Sequence, residues 1–142
     1  MKKIGLLIIL ITMTVSICLC TKNEKRDENV INNNIVINEK EYNIIYEDNE
    51  TVKEFFKLFP LELNMKDLNN NEKYAYLNNS LPTNKYSPKH ITSGDVMLFQ
   101  DNCIVIFYKS FDTNYTYTKI GHIDNLDDLD YNSITVKFNW KD

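Results

Sequence analysis

Few side chains in this sequence could do chemistry. Arginine occurs once, at Arg26, so the rest of the chain cannot assemble the bidentate clamps that grip phosphates and carboxylates. The two histidines, His90 and His122, form no zinc-spaced set with each other or with a cysteine. Beyond Cys18 and Cys20 the sole thiol is Cys103. It opens the apolar run Cys103-Ile104-Val105-Ile106-Phe107, where a thiol behaves as a small hydrophobe. There is no G-x-S-x-G nucleophile elbow. Gly5, Gly94 and Gly121 are the only glycines, too few for a dinucleotide or phosphate loop. Asp124, Asp127, Asp128 and Asp130 carry the right oxygens for calcium, but Leu126 breaks the alternation that an EF-hand loop needs, so the stretch reads as a solvated acidic turn. Nothing in these patterns implies a metal or a cofactor.

The aromatic residues remain. They make up 12% of the chain and gather late in it. Phe99, Gln100, Tyr108, Phe111, Tyr115 and Tyr117 form the candidate ligand-binding set. Rings with polar tips suit a face that receives a peptide, a protein or a small molecule. Ordinary cross-strand core pairs would use the same rings. The formal charge of −4 and pI of about 5.2 leave no basic footprint, which argues against nucleic acid as a partner.

The elements that position these residues begin after an export segment. Lys2 and Lys3 precede an apolar run from Ile4 to Val15. That run is short of the roughly 20 residues that span a bilayer, but it suits a signal peptide. Cys18 and Cys20 follow, then the polar stretch from Thr21. A cysteine at this place resembles the acylated cysteine of a bacterial lipoprotein. Cys20 is the candidate, with Ile17 three residues before it and small Cys18 two before it; Cys18 is the alternative. A plain secretion signal and an uncleaved anchor are the other readings. The expected organisation is a signal segment at 1–20, a polar tether at 21–33 and one domain at 34–142. The expected place is outside the cytoplasm, tied to a bacterial membrane through an N-terminal lipid, or secreted. Loss of Lys2 and Lys3 with the segment shifts the charge from −4 to −6 and leaves Cys103 alone, so the mature domain has no disulfide.

Within 34–142 the apolar period is mostly two. Ile35 and Ile37 alternate, Asn38-Glu39-Lys40 turns, and Tyr42, Ile44 and Tyr46 alternate again, which reads as a hairpin. Val52, Phe55, Phe56 and Phe59 make a helical stripe, with a capping box at Thr51–Glu54 and a stop at Pro60. Strands follow at Leu61–Met65, Lys73–Leu77, Val96–Gln100, Cys103–Tyr108 and Tyr115–Ile123, with a helical turn expected in the acidic stretch Asp124–Asp130. In the last strand Ile134, Val136, Phe138 and Trp140 point one way and Thr135, Lys137 and Asn139 the other. About eight short strands with one or two helices suggest a closed barrel or a sandwich.

The run Gly94-Asp95-Val96-Met97-Leu98-Phe99, a turn, and Ile104-Val105-Ile106-Phe107-Tyr108 resembles the core hairpin of the small bacterial cyclophilin-like domain family. The flanks agree: Phe55 to Leu61 and Leu81-Pro82-Thr83 upstream, Tyr115 to Ile123 and Ile134 to Phe138 downstream. The resemblance implies a mainly β protein, a closed eight-stranded barrel with one or two capping helices, and no particular activity. True cyclophilins are prolyl isomerases that use an arginine beside an apolar proline pocket. Arg26 in the tether cannot fill that role. The expected function is a non-catalytic binding module, with a weak or divergent prolyl isomerase as the alternative.

Overall fold

The computed structural model describes residues 32–140; the export segment with Cys18 and Cys20, and most of the tether, lie outside the described residues. In chain order the strands are β1 (Asn32–Ile37), β2 (Lys40–Tyr46), β3 (Leu61–Leu68), β4 (Glu72–Tyr76), β5 (His90–Ile91), β6 (Asp95–Phe99), β7 (Cys103–Phe107), β8 (Phe111–Asp112), β9 (Thr118–Ile123) and β10 (Ser133–Phe138), with one helix, α1 (Glu50–Phe56), between β2 and β3. Eight of them close into a barrel in the order β1-β10-β3-β4-β7-β6-β9-β2, all neighbours antiparallel. Closure leaves the barrel no unpaired edge. β5 and β8 pair separately as a two-stranded ribbon. β1 takes in Asn32 and Asn33, the last residues of the expected tether.

The period-two pattern sorts the side chains. Ile35, Ile37, Ile44, Met65, Val96, Leu98, Ile104, Ile106, Val136 and Phe138 fill the interior. β7 is buried on both faces because ribbon and loops cover its outer side. β9 breaks strict alternation: Val96 pairs with Gly121 and Met97 with Lys119, so Ile120 is the extra residue of a bulge. The bulge lets Ile120 and Ile123, three apart, both reach the core.

α1 closes one end of the barrel. Phe55 is fully buried, its ring 5.2 Å from Phe59 and 5.1 Å from Phe138. Phe56 and Phe59 pack on Trp140 at 4.9 and 5.3 Å, so Trp140 rests on the plug, half exposed, and not inside the barrel. The helix starts two residues earlier than the capping box suggests. Its N-cap is Asn49, whose Oδ1 accepts from the Val52 N–H at 2.9 Å. Thr51 is already helical and its hydroxyl donates to the Pro82 carbonyl at 2.6 Å. The helix ends at Phe56, and tighter turns carry the chain to Pro60. The acidic stretch Asp124–Asp130 forms no helical turn. Its carboxylates are used outward: Asp124 accepts from Asn43 at 3.0 Å, and Asp127 accepts from Tyr42 at 2.8 Å and pairs with Lys40.

Candidate functional site

β4, β7 and β6 lie side by side in the barrel wall, and their register sets rows across its outer face. Tyr76, Cys103 and Phe99 make one row, Tyr74, Val105 and Met97 the next, and Glu72 stands opposite Phe107. These are the outward positions because Lys73, Ile104, Ile106, Val96 and Leu98 point inward. Above this face lies the β5–β8 ribbon, with Ile91 fully buried beneath it and the Phe111 ring 5.5 Å from Phe107. The next segment folds back over the face. Tyr117 exchanges backbone hydrogen bonds with Tyr86 at 2.9 and 3.0 Å, and its ring lies 5.5 Å from Phe107 and 5.7 Å from Phe99. Tyr115 stands edge-on to Phe99 at 6.0 Å.

Ribbon and segment do not cover the face completely. They leave a cavity of about 660 Å³ floored by Cys103 and Val105 and walled by the rings of Tyr74, Tyr76, Phe99, Phe111, Tyr115 and Tyr117. That volume is in the range of small-molecule sites. Tyr76 and Tyr115 at its rim stay 63% and 66% exposed, so they are not barrel core.

The cavity's charge comes from Glu72 and Asp112; among the described residues no lysine, arginine or histidine lines it. Asp112 faces the His90 ring nitrogen at 2.7 Å. Burial pushes the Glu72 carboxyl up to about 7, and the nearby Asp67 charge adds to the effect. Burial, and then the Glu72 charge, pushes the Cys103 thiol up to about 11, so it stays protonated and unreactive. The one basic residue in β4 is turned away. Lys73 is fully buried inside the barrel, where its ammonium pairs with Asp67 at 2.6 Å, donates to the Tyr131 carbonyl and lies 4.9 Å from the Tyr108 ring centre.

Of the candidate residues read from the sequence, the fold brings Phe99, Phe111, Tyr115 and Tyr117 together in the cavity wall. Gln100 and Tyr108 are not among them. Gln100 sits in the tight β6–β7 turn with φ of 55°, exposed and beyond the cavity. Tyr108 continues the inward parity of Ile104 and Ile106; it is buried, and its hydroxyl donates to Asp67 at 2.6 Å. It belongs to the lysine pair inside the barrel. Sequence reading missed Asn71, Glu72, Tyr74 and Tyr76. The signal was present in the alternation of Glu72, Tyr74 and Tyr76 with Lys73 and Ala75, but nothing local to β4 says that β7 lies beside it.

A family model described as the cyclophilin-like family matches residues 35–139. Comparison with curated proteins and with solved structures gave no match. The matched span runs from β1 to just past β10, through every strand of the closed barrel and across both walls of the cavity. The chain belongs to the cyclophilin-like family.

Proposed function

We propose that this chain is a membrane-anchored, extracytoplasmic binding module whose outer-face cavity receives a small molecule or a peptide side chain. The observation that carries the binding reading is the cavity itself. Six aromatic rings converge on an open space of about 660 Å³, outside a barrel whose interior is already filled by apolar side chains. Rings that served only to seal the β6–β7 hairpin would be buried in doing so, whereas Tyr76 and Tyr115, although each stands edge-on to a neighbouring ring, stay largely exposed around an opening.

Binding is tested on the full-length chain in mild detergent, with a fragment library followed by ligand-observed NMR. Hits should compete for one site and be weakened by Tyr115→Ala, a change at an exposed residue that leaves the core intact. Hits indifferent to Tyr115→Ala and to Phe99→Ala would place binding elsewhere and sink the reading.

The anchoring reading rests on the sequence alone, on Cys20 at the end of an apolar segment and before a polar stretch. Cys20→Ala should move the protein from the membrane fraction to the soluble one. Retention by Cys20→Ala and release by Cys18→Ala would assign the lipid to Cys18. Retention by both would make the apolar segment itself the anchor.

A further inference from the structure

The cavity has a charge character as well as a shape. Six aromatic rings line it, and the π face of such a ring carries negative potential. Its two carboxylates add negative charge, and among the described residues no cationic side chain lines it. Asp112 has His90 beside it, but Glu72 has no hydrogen-bond or ion-pair partner among the described residues. The nearest lysine in sequence, Lys73, is spent inside the barrel on Asp67 and the Tyr131 carbonyl. An unpaired, half-buried carboxyl set among six rings leaves the wall short of positive charge.

We propose that the cavity binds its ligand through a positively charged ammonium group, seated between the aromatic rings and the Glu72 carboxylate. Burial in the wall holds the Glu72 carboxyl partly protonated at neutral pH, and a cation there would restore its charge. An anion would meet two carboxylates and, among the described residues, no cationic side chain. A neutral ligand would bring Glu72 at most a hydrogen bond and no compensating charge. The volume exceeds that of an ammonium head group alone, so the ligand carries an organic body as well. This inference rests on the reading of the cavity as the binding site and adds the class of ligand that it takes.

The test uses three probes of one shape on the full-length chain: choline, its neutral carbon isostere 3,3-dimethylbutan-1-ol, and the anion 3,3-dimethylbutyrate. Titration calorimetry should show choline bound at least about tenfold more tightly than the alcohol, and the carboxylate bound least. Glu72→Gln should lose about tenfold in choline affinity and leave the alcohol unchanged. Tyr115→Leu keeps an apolar side chain at an exposed site but removes the π face, so it should weaken choline more than the alcohol. Alcohol bound as tightly as choline, or carboxylate bound more tightly, would overturn the cationic assignment while leaving the binding site in place. If none of the three binds at millimolar concentration, the cationic assignment falls, and the fragment screen above decides separately whether the cavity binds anything.

Discussion

Lys73 and Glu72 are neighbours in sequence with opposite fates. Alternation along β4 sends Lys73 into the barrel, where a fully buried ammonium is tolerable because Asp67 at 2.6 Å and the Tyr131 carbonyl satisfy it. Burial opposes ionisation of Asp67, yet its bonds from Lys73, Tyr108 and the Asn70 N–H together hold its carboxyl below the ordinary value. Glu72 faces the other way and lacks such partners, so its carboxyl titrates near 7 instead of at the ordinary 4.5. The folded state therefore holds that proton more tightly than the unfolded chain does. The contribution to stability is complete below about pH 4.5 and is lost as pH rises through about 7. Water at the cavity mouth screens the charge, which limits the effect to about 1 kcal/mol. Glu72→Gln carries no charge at any pH. In urea unfolding it should exceed the parent by about 1 kcal/mol near pH 8 and match it within about 0.5 kcal/mol near pH 4. A difference that is constant with pH would show that folding does not raise the Glu72 carboxyl above its ordinary value.

Among the elements, β10 and α1 form one structural unit. Phe138 is fully buried between Phe55 and Phe59, and Val136 lies beneath it with no exposure. Lys137 faces solvent, 3.6 Å from Glu62 across an exposed pair that contributes little. Phe138→Ala should cost about 3–5 kcal/mol through lost burial and the cavity left behind. Lys137→Ala should stay within about 0.5 kcal/mol. Equal losses in chemical denaturation would contradict the faces given to this strand. The turn before β6 is equally constrained. Gly94 has φ of +100° and an added Cβ would stand 2.3 Å from the Ile123 carbonyl, so a side chain is excluded both by conformation and by space. Asp95 then locks the turn by accepting from the Thr92 N–H at 2.9 Å and meeting His122 at 3.0 Å.

At the scale of the molecule, the aromatic cavity of the barrel has no guanidinium among the described residues, since the only arginine, Arg26, lies outside them. Isomerisation of an X-Pro bond needs charge aimed at the twisted amide, and rings with two carboxylates aim the wrong sign. Desolvation in the cavity could still lower the barrier slightly. The chain should accelerate a model X-Pro peptide by less than about tenfold, which corresponds to about 1.4 kcal/mol, in a protease-coupled assay. A faster rate that Phe99→Ala abolishes would replace the binding module with an isomerase.

Which residues share a face can be read from the order of the amino acids. The alternation in β10, the stripe of Val52, Phe55 and Phe56, and the two-sided apolar run of β7 were legible because each depends only on the local period of the chain. The order of the resembling segments was also legible, and with it the barrel. Which strand pairs with which, and which face of each is enclosed, depends on closing the barrel over long separations in sequence. Only in the closed barrel does β4 lie against β7, about thirty residues on, so that Glu72, Tyr74 and Tyr76 join Phe99 around one cavity. Only there, too, does Tyr108, one residue past the outward Phe107, turn inward to Asp67. A period of two assigns residues to faces but not faces to inside or outside; only closure of the sheet makes one of them the core.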